Sequence, residues 1–229
     1  AGEVFTPKSV VEDFLSHELV KVHVKPAVYI LEPSAGDGNF LAVILEEVLS
    51  QEATLSAIEN IYSVEIMADN HKALLERCRK VIEDFLPKVN AAALSDYLNT
   101  HFLLGSYLSE RACSLSCLPT CTSCSPLQLP GKYDLIIGNP PYNPNTIYTA
   151  FMDKALEQAT TVAYILPTTW LVSPRYHKLR SHMKNHLQIV EKLPWKTFAI
   201  KLRTCKVVFS KETTIQPSLP DNMTTSVDG

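Results

Sequence analysis

Residues 135–142 combine an apolar run, Leu135-Ile136-Ile137-Gly138, with an abrupt stop at Asn139-Pro140-Pro141-Tyr142. The run reads as a buried strand. The turn that ends it carries one carboxamide, two rigid residues without N–H groups and one aromatic ring. Such a turn suits a planar amine whose lone pair is delocalised. The Asn139 side-chain carbonyl and the Pro140 main-chain carbonyl can each accept one of its two hydrogens. That favours a pyramidal nitrogen and turns its lone pair outward, while Tyr142 stacks on the attached ring. Proline fixes φ and removes donors that would compete for the same acceptors. An adenine, a guanine or a glutamine amide all present such a nitrogen, and the turn alone does not choose among them.

A second constellation lies upstream in Leu31-Glu32-Pro33-Ser34-Ala35-Gly36-Asp37-Gly38-Asn39-Phe40. Two glycines between a strand and a helix allow backbone to approach a ligand closely. The loop lacks the Lys-Ser/Thr ending of a phosphate cradle. Glu32 and Asp37 repel phosphate and favour a ligand with an amino or sulfonium cation, which points to S-adenosylmethionine over a dinucleotide. Glu65 ends the next apolar run and can accept both hydrogens of a ribose diol, as acids at that place do in dinucleotide folds.

These groups require strands that end together. Strand signals occur at Val28 to Leu31, Ile61 to Val64, His101 to Leu104, Tyr133 to Ile137, Val162 to Leu166, Ile189-Val190 and Val207 to Phe209. Helical spacing of apolar residues runs over Phe40 to Leu49, Met67 to Leu86, Thr146 to Ala159 and Pro174 to Asn185. Alternation of this kind implies right-handed crossovers, hence an α/β fold with a mainly parallel seven-stranded sheet and helices on both faces. Ligands bind such sheets at the carboxyl ends of the strands, where Glu32, Glu65, Ser106 and Asn139 fall.

With 46% hydrophobic and 20% charged residues, the 229-residue chain can build one large core. It has no apolar run of the roughly 18 residues that a membrane span needs. Its beginning resembles no export signal, so a cytoplasmic protein is expected. Net charge is −3, yet residues 175–206 hold nine Lys/Arg against Glu191 alone, a one-sided surface suited to a polyanion. Cys113, Cys117, Cys121 and Cys124 crowd a loop at about 111–131. Four thiolates can hold zinc, but the pair-plus-pair spacing is missing, and an irregular Cys-rich insertion is the favoured reading. Residues 211–229 read as a flexible polar tail.

Asn139-Pro140-Pro141-Tyr142, the Glu32 to Phe40 loop and Phe5-Thr6-Pro7 ahead of both resemble the gamma-class S-adenosylmethionine-dependent DNA adenine-N6 methyltransferases, in that order along the chain. The similarity extends over about residues 4–210, through Pro167-Thr168-Thr169-Trp170-Leu171 to the Leu193-Pro194 to Phe209 region. It implies a Rossmann-like catalytic domain over 1–210 that methylates the exocyclic N6 of an adenine flipped out of DNA, in a restriction-modification setting. It implies that Phe5, Thr6 and Pro7 wall the methionine end of the cofactor and that Glu32, Pro33, Ser34, Gly36 and Gly38 line its sulfonium side. It further implies that Glu65 holds the ribose, that Ile66 packs on the cofactor's adenine, and that Phe198 helps sandwich the flipped base. Asn139 and Pro141 border both ligands, and Lys196, Lys201 and Arg203 are candidates for phosphate contacts.

Two departures from the family stand out. Its third strand ends in an Asp that binds the cofactor's adenine; here the matching position is Ser106, followed by Tyr107, with Asp96 the other candidate. No separate target-recognition domain is evident, so sequence specificity is expected to be slight or to come from a partner such as a specificity subunit. Methyl transfer to an RNA base or a release-factor glutamine, and a non-catalytic subunit with a methyltransferase fold, are the alternatives.

Overall fold

The computed structural model describes residues 5–112, 124–142, 147–198 and 202–212. The first helix, α1 (Lys8–Leu15), turns Val11, Phe14 and Leu15 inward. A short α2 (Glu18–Lys21) follows, capped where His17 Nδ1 accepts the Leu19 N–H. Strand β1 (Ile30–Glu32) is wholly buried and feeds α3 (Asn39–Gln51), which buries Phe40, Leu41, Ile44, Leu45 and Val48. Strand β2 (Ile61–Glu65) then leads into α4 (Ala68–Phe85), whose Leu74, Cys78 and Ile82 form a stripe at four-residue spacing.

Between α4 and the third strand lies a helix that the sequence reading had not assigned. This is α5 (Ala91–His101), in which Asn90 caps the start by accepting the Ala92 and Ala93 N–H groups. Asp96 therefore sits inside a helix, and Ser106 lies two residues beyond the end of β3 (Phe102–Leu104). Strand β4 (Tyr133–Gly138), α6 (Ile147–Gln158) and β5 (Ala159–Pro167) follow. β5 is longer than the five residues expected, because β4 pairs with its first part, Ala159 to Tyr164, and β7 with Thr161 to Pro167.

After α7 (Thr169–Val172), the expected Pro174 to Asn185 helix begins as a tight turn over Pro174–Tyr176 and becomes α8 (His177–Met183). The chain closes with β6 (Leu187–Lys192) and β7 (Thr204–Ser210).

The seven strands form one sheet in the order β3-β2-β1-β4-β5-β7-β6, with β7 antiparallel to both of its neighbours and the other pairings parallel. One face packs under residues of α1, α3, α4 and α5, the other under α6, α7 and α8. The α/β architecture with helices on both faces is as expected. Strand order reverses between β1 and β4, which opens a crevice at their carboxyl ends.

β7 carries a buried lysine that ties this scaffold together. Lys206 is 4% exposed and pairs with Asp13 of α1 at 2.5 Å and with Glu191 of β6 at 2.8 Å. Burial works against its charge, yet the two carboxylates hold its pKa above the ordinary value.

Candidate active site

The β1–α3 loop is shaped by two residues in the left-handed region, Gly36 at φ +55° and Gly38 at φ +85°. A side chain at Gly38 would press on the Leu74 backbone at 3.2 Å, so the loop lies flat on α4. Its path is fixed from several sides. Ala35 N–H donates to the Val64 carbonyl, and Gly38 N–H to that of Ala35. Arg77 grips the Asp37 carbonyl and carboxylate, both at 2.8 Å.

Glu65 fastens the same loop to β2. Its Oε2 accepts the Gly36 N–H and its Oε1 the Met67 N–H, each at 2.7 Å. A carboxylate oxygen can accept more than one donor. Ile66, next in sequence, is half-buried.

Glu32 stands in contrast. It is 2% exposed, and its Oε2 has no hydrogen-bond partner among the described residues. Burial pushes its pKa well above the ordinary carboxylate value, Glu65 and Asp37 push it further, and a bond from the Leu41 backbone works the other way. The Ser34 hydroxyl is likewise buried and without a partner. A buried carboxyl with a free oxygen, beside a second acid and a backbone loop, fits a small cationic ligand. The residues present therefore suit S-adenosylmethionine.

On the other side of the crevice, Gly138 backs directly onto Glu32: a side chain there would meet the Glu32 Cγ at 3.4 Å. Asn139 follows, half-buried, with Nδ2 donating to Thr6 Oγ1 at 3.2 Å. Thr6 is itself 4% exposed, so it fixes the orientation of the amide. The Tyr142 phenol donates to Asn139 Oδ1 and, at 3.3 Å, to the Ile165 carbonyl. Burial raises the phenol pKa, so it remains a proton donor at neutral pH. Pro140 is buried and Pro141 exposed.

The structure thus brings Thr6, Glu32, Pro33, Ser34, Gly36, Gly38, Glu65, Asn139, Pro140, Pro141 and Tyr142 to one edge. Phe5, 45% exposed, lies against Gly36, and Pro7 accepts the first N–H bonds of α1. Ser106 lies just beyond β3, its hydroxyl accepting the Ser109 N–H at 3.4 Å. The Tyr107 side chain is not brought to the site. It is 2% exposed, its ring lies tilted against that of Phe151 and its hydroxyl donates to Gln158, which leaves only its backbone for a ligand.

Phe198 also departs from expectation: it is 7% exposed and belongs to the core cluster of Val11 and Phe14. The exposed aromatic of that loop is Trp195. Lys196 and Arg203 are exposed, whereas Lys201, Cys113, Cys117 and Cys121 lie outside the described residues. Sequence reasoning missed the Thr6–Asn139 bond and the Arg77 clamp, because both join segments far apart in the chain. Among the described residues no group of three His, Cys, Asp or Glu is placed to hold a metal ion, and no helix is long and apolar enough to cross a membrane. A separate cleft of about 480 Å³, lined in part by Tyr29, Lys132, Tyr133 and Thr160, opens at the amino ends of β4 and β5, away from this chemistry.

No protein-family model matches the sequence. No curated protein matches it either. Solved structures do match. The type I restriction enzyme EcoKI M protein (M.EcoKI, EC 2.1.1.72) superposes with a TM-score of 0.64 at 19% identity, over 93% of this chain and 45% of that one. The likeness shows a methyltransferase fold. A putative class I S-adenosylmethionine-dependent methyltransferase from Listeria monocytogenes gives 0.59 at 14% identity, over 95% of this chain and 63% of that one. A putative RNA methyltransferase from Pyrococcus horikoshii gives 0.54 at 16% identity, over 91% and 84%. The chain spans less than half the length of the M protein.

Proposed function

We propose that this chain transfers a methyl group from S-adenosylmethionine to the exocyclic N6 amine of an adenine in DNA, taken out of the base stack. The observation that carries the reading is the adjacency of two unlike groups across the strand-order reversal. Glu32 offers a buried, unpartnered carboxyl oxygen on one side, and Asn139 offers an oriented carboxamide on the other.

Glu32, Ser34 and the Gly36–Gly38 loop would hold the methionine end of the cofactor, Glu65 its ribose and Ile66 its adenine. When bound there, S-adenosylmethionine supplies an electrophilic methyl group. Asn139 Oδ1 and the Pro140 carbonyl accept the two N–H groups of the target amine and turn its lone pair away from the ring. Thr6 keeps Oδ1 pointed at the amine by holding Nδ2. The Tyr142 phenol shares Oδ1 with the incoming amine or gives it up, and once released its ring is free to stack on the base. No base need act first, because the amine becomes acidic only as its nitrogen takes on the new bond; the proton then leaves to water.

The type I M protein likeness supports DNA as the substrate, and a protein partner that supplies sequence specificity is part of the proposal. The second reading is an RNA base, favoured by the match that covers most of the RNA methyltransferase chain. Labelled methyl transfer to DNA, RNA and a release-factor protein side by side tests the proposal. Label in DNA adenine is expected; label confined to RNA or to glutamine overturns it.

A further inference from the structure

Trp195 is the exposed aromatic that the site leaves without a use. It is 52% exposed, and the Arg203 guanidinium lies over its ring at 5.3 Å from the centroid. The β6–β7 loop that carries it is fastened to the carboxyl edge of the sheet. Pro167 at the end of β5 pairs with Thr204, and the Thr168 N–H donates to the Arg203 carbonyl at 2.9 Å. Tyr142 reaches the same strands, donating to Ile165, whose register partner is Lys206; Cys205 next to it pairs with both Leu166 and Lys192. Trp195, three residues beyond Lys192, therefore stands on the side of the crevice where the target base would enter.

Cations predominate around it. Lys192, Lys196 and Arg203 are exposed in this hairpin. Its acid, Glu191, pairs with the buried Lys206. An exposed indole with Arg203 on its ring, in a loop that also exposes Lys192 and Lys196, is poor at docking an apolar protein face and well suited to a base on a phosphate chain, since every base has a π-face.

We propose that Trp195, backed by Arg203, is a stacking platform for an unpaired nucleobase neighbouring the target, and that it helps hold the strand open while the adenine is out. The inference rests on the nucleic-acid reading above and adds a residue that the family resemblance did not assign.

The chain holds two tryptophans, and the other, Trp170, is 2% exposed. Quenching of tryptophan emission on addition of an oligonucleotide therefore reports Trp195. A short single-stranded deoxyoligonucleotide should quench strongly, and the same chain with abasic sites should quench little. Trp195→Ala should abolish the quenching and weaken binding about 10- to 100-fold, whereas Trp195→Phe keeps most of the affinity. Equal quenching by the abasic chain, or unchanged affinity in Trp195→Ala, overturns the platform. So does a shift of the protein alone to a dimer by sedimentation that Trp195→Ala abolishes, since the ring is then a protein contact. If Trp195→Ala binds and methylates DNA normally, the platform fails and the DNA reading stands. If Trp195 is quenched by oligonucleotide while methyl transfer goes only to RNA, the platform stands and the DNA reading fails.

Discussion

On the β1–β2 side of the sheet's carboxyl edge the polar groups are acids and backbone amides in fixed relation. On the β4–β5–β7 side they are a carboxamide, a phenol and, further out, an indole and exposed cations. Gly138 packed on Glu32 is the border between the two. The first side suits a small cation and repels phosphate; the second suits a planar amine delivered on a polyanion. One crevice can hold both ligands because each half rejects the other's charge. Substitutions should therefore separate by side, those on the first altering cofactor affinity and those on the second altering turnover or nucleic-acid affinity.

The largest effect on the acidic side is expected at Glu65. Glu65→Ala frees the Gly36 and Met67 N–H groups and removes the diol acceptor. Cofactor binding should weaken about 100-fold by calorimetry, with oligonucleotide affinity unchanged. An equal loss of both affinities would break the division.

Glu32→Gln sharpens it through pH. Glu32 titrates well above 4.5 in the fold. The unfolded chain therefore ionises first as pH rises, and the native protein loses stability between the two values. A glutamine avoids that loss. The variant should be more stable than the parent at pH 7 in denaturant unfolding, with the gain gone near pH 4. It should also bind cofactor less tightly. A gain that persists at pH 4 would contradict the ionisation account.

Tyr142→Phe acts on the other side. It removes the phenol that occupies Asn139 Oδ1 and keeps the ring, so turnover should change by less than about 5-fold while Tyr142→Ala costs about 10-fold or more through lost stacking. A large loss in Tyr142→Phe would mean that the hydroxyl acts in the reaction. Arg77→Ala is the smallest. Its partly exposed contact with Asp37 should be worth under about 1 kcal/mol of stability, visible as a slight weakening of cofactor binding alone.

Much of this division was legible in the chain. Glu32, Glu65 and Asn139 were located because each directly follows a short apolar run, and strand ends are where a parallel sheet holds its ligands. α5 was not foreseen, although Asn90 and the run Ala91-Ala92-Ala93 with Leu94, Tyr97 and Leu98 form a capped amphipathic pattern; the apolar run after His101 drew attention instead. Tyr107 and Phe198 show a different limit. An aromatic after a strand or in an edge loop can turn inward or outward, and only the packing of Phe151 and Gln158, or of Val11 and Phe14, decides. Lys206 looked like part of a basic surface, but strand pairing places it between Asp13 and Glu191. Tertiary partners set the fate of these side chains, and local sequence does not name them.

The central claim is that Asn139, although it borders the cofactor, acts chiefly by orienting the target amine. It is tested most directly by single-turnover methyl transfer to an adenine-containing oligonucleotide, with cofactor affinity measured in parallel, for the parent and Asn139→Ala. The account predicts a loss of about 100-fold or more in rate with cofactor affinity held within about 3-fold. Near-normal transfer by Asn139→Ala, or a loss explained wholly by weaker cofactor binding, would contradict it.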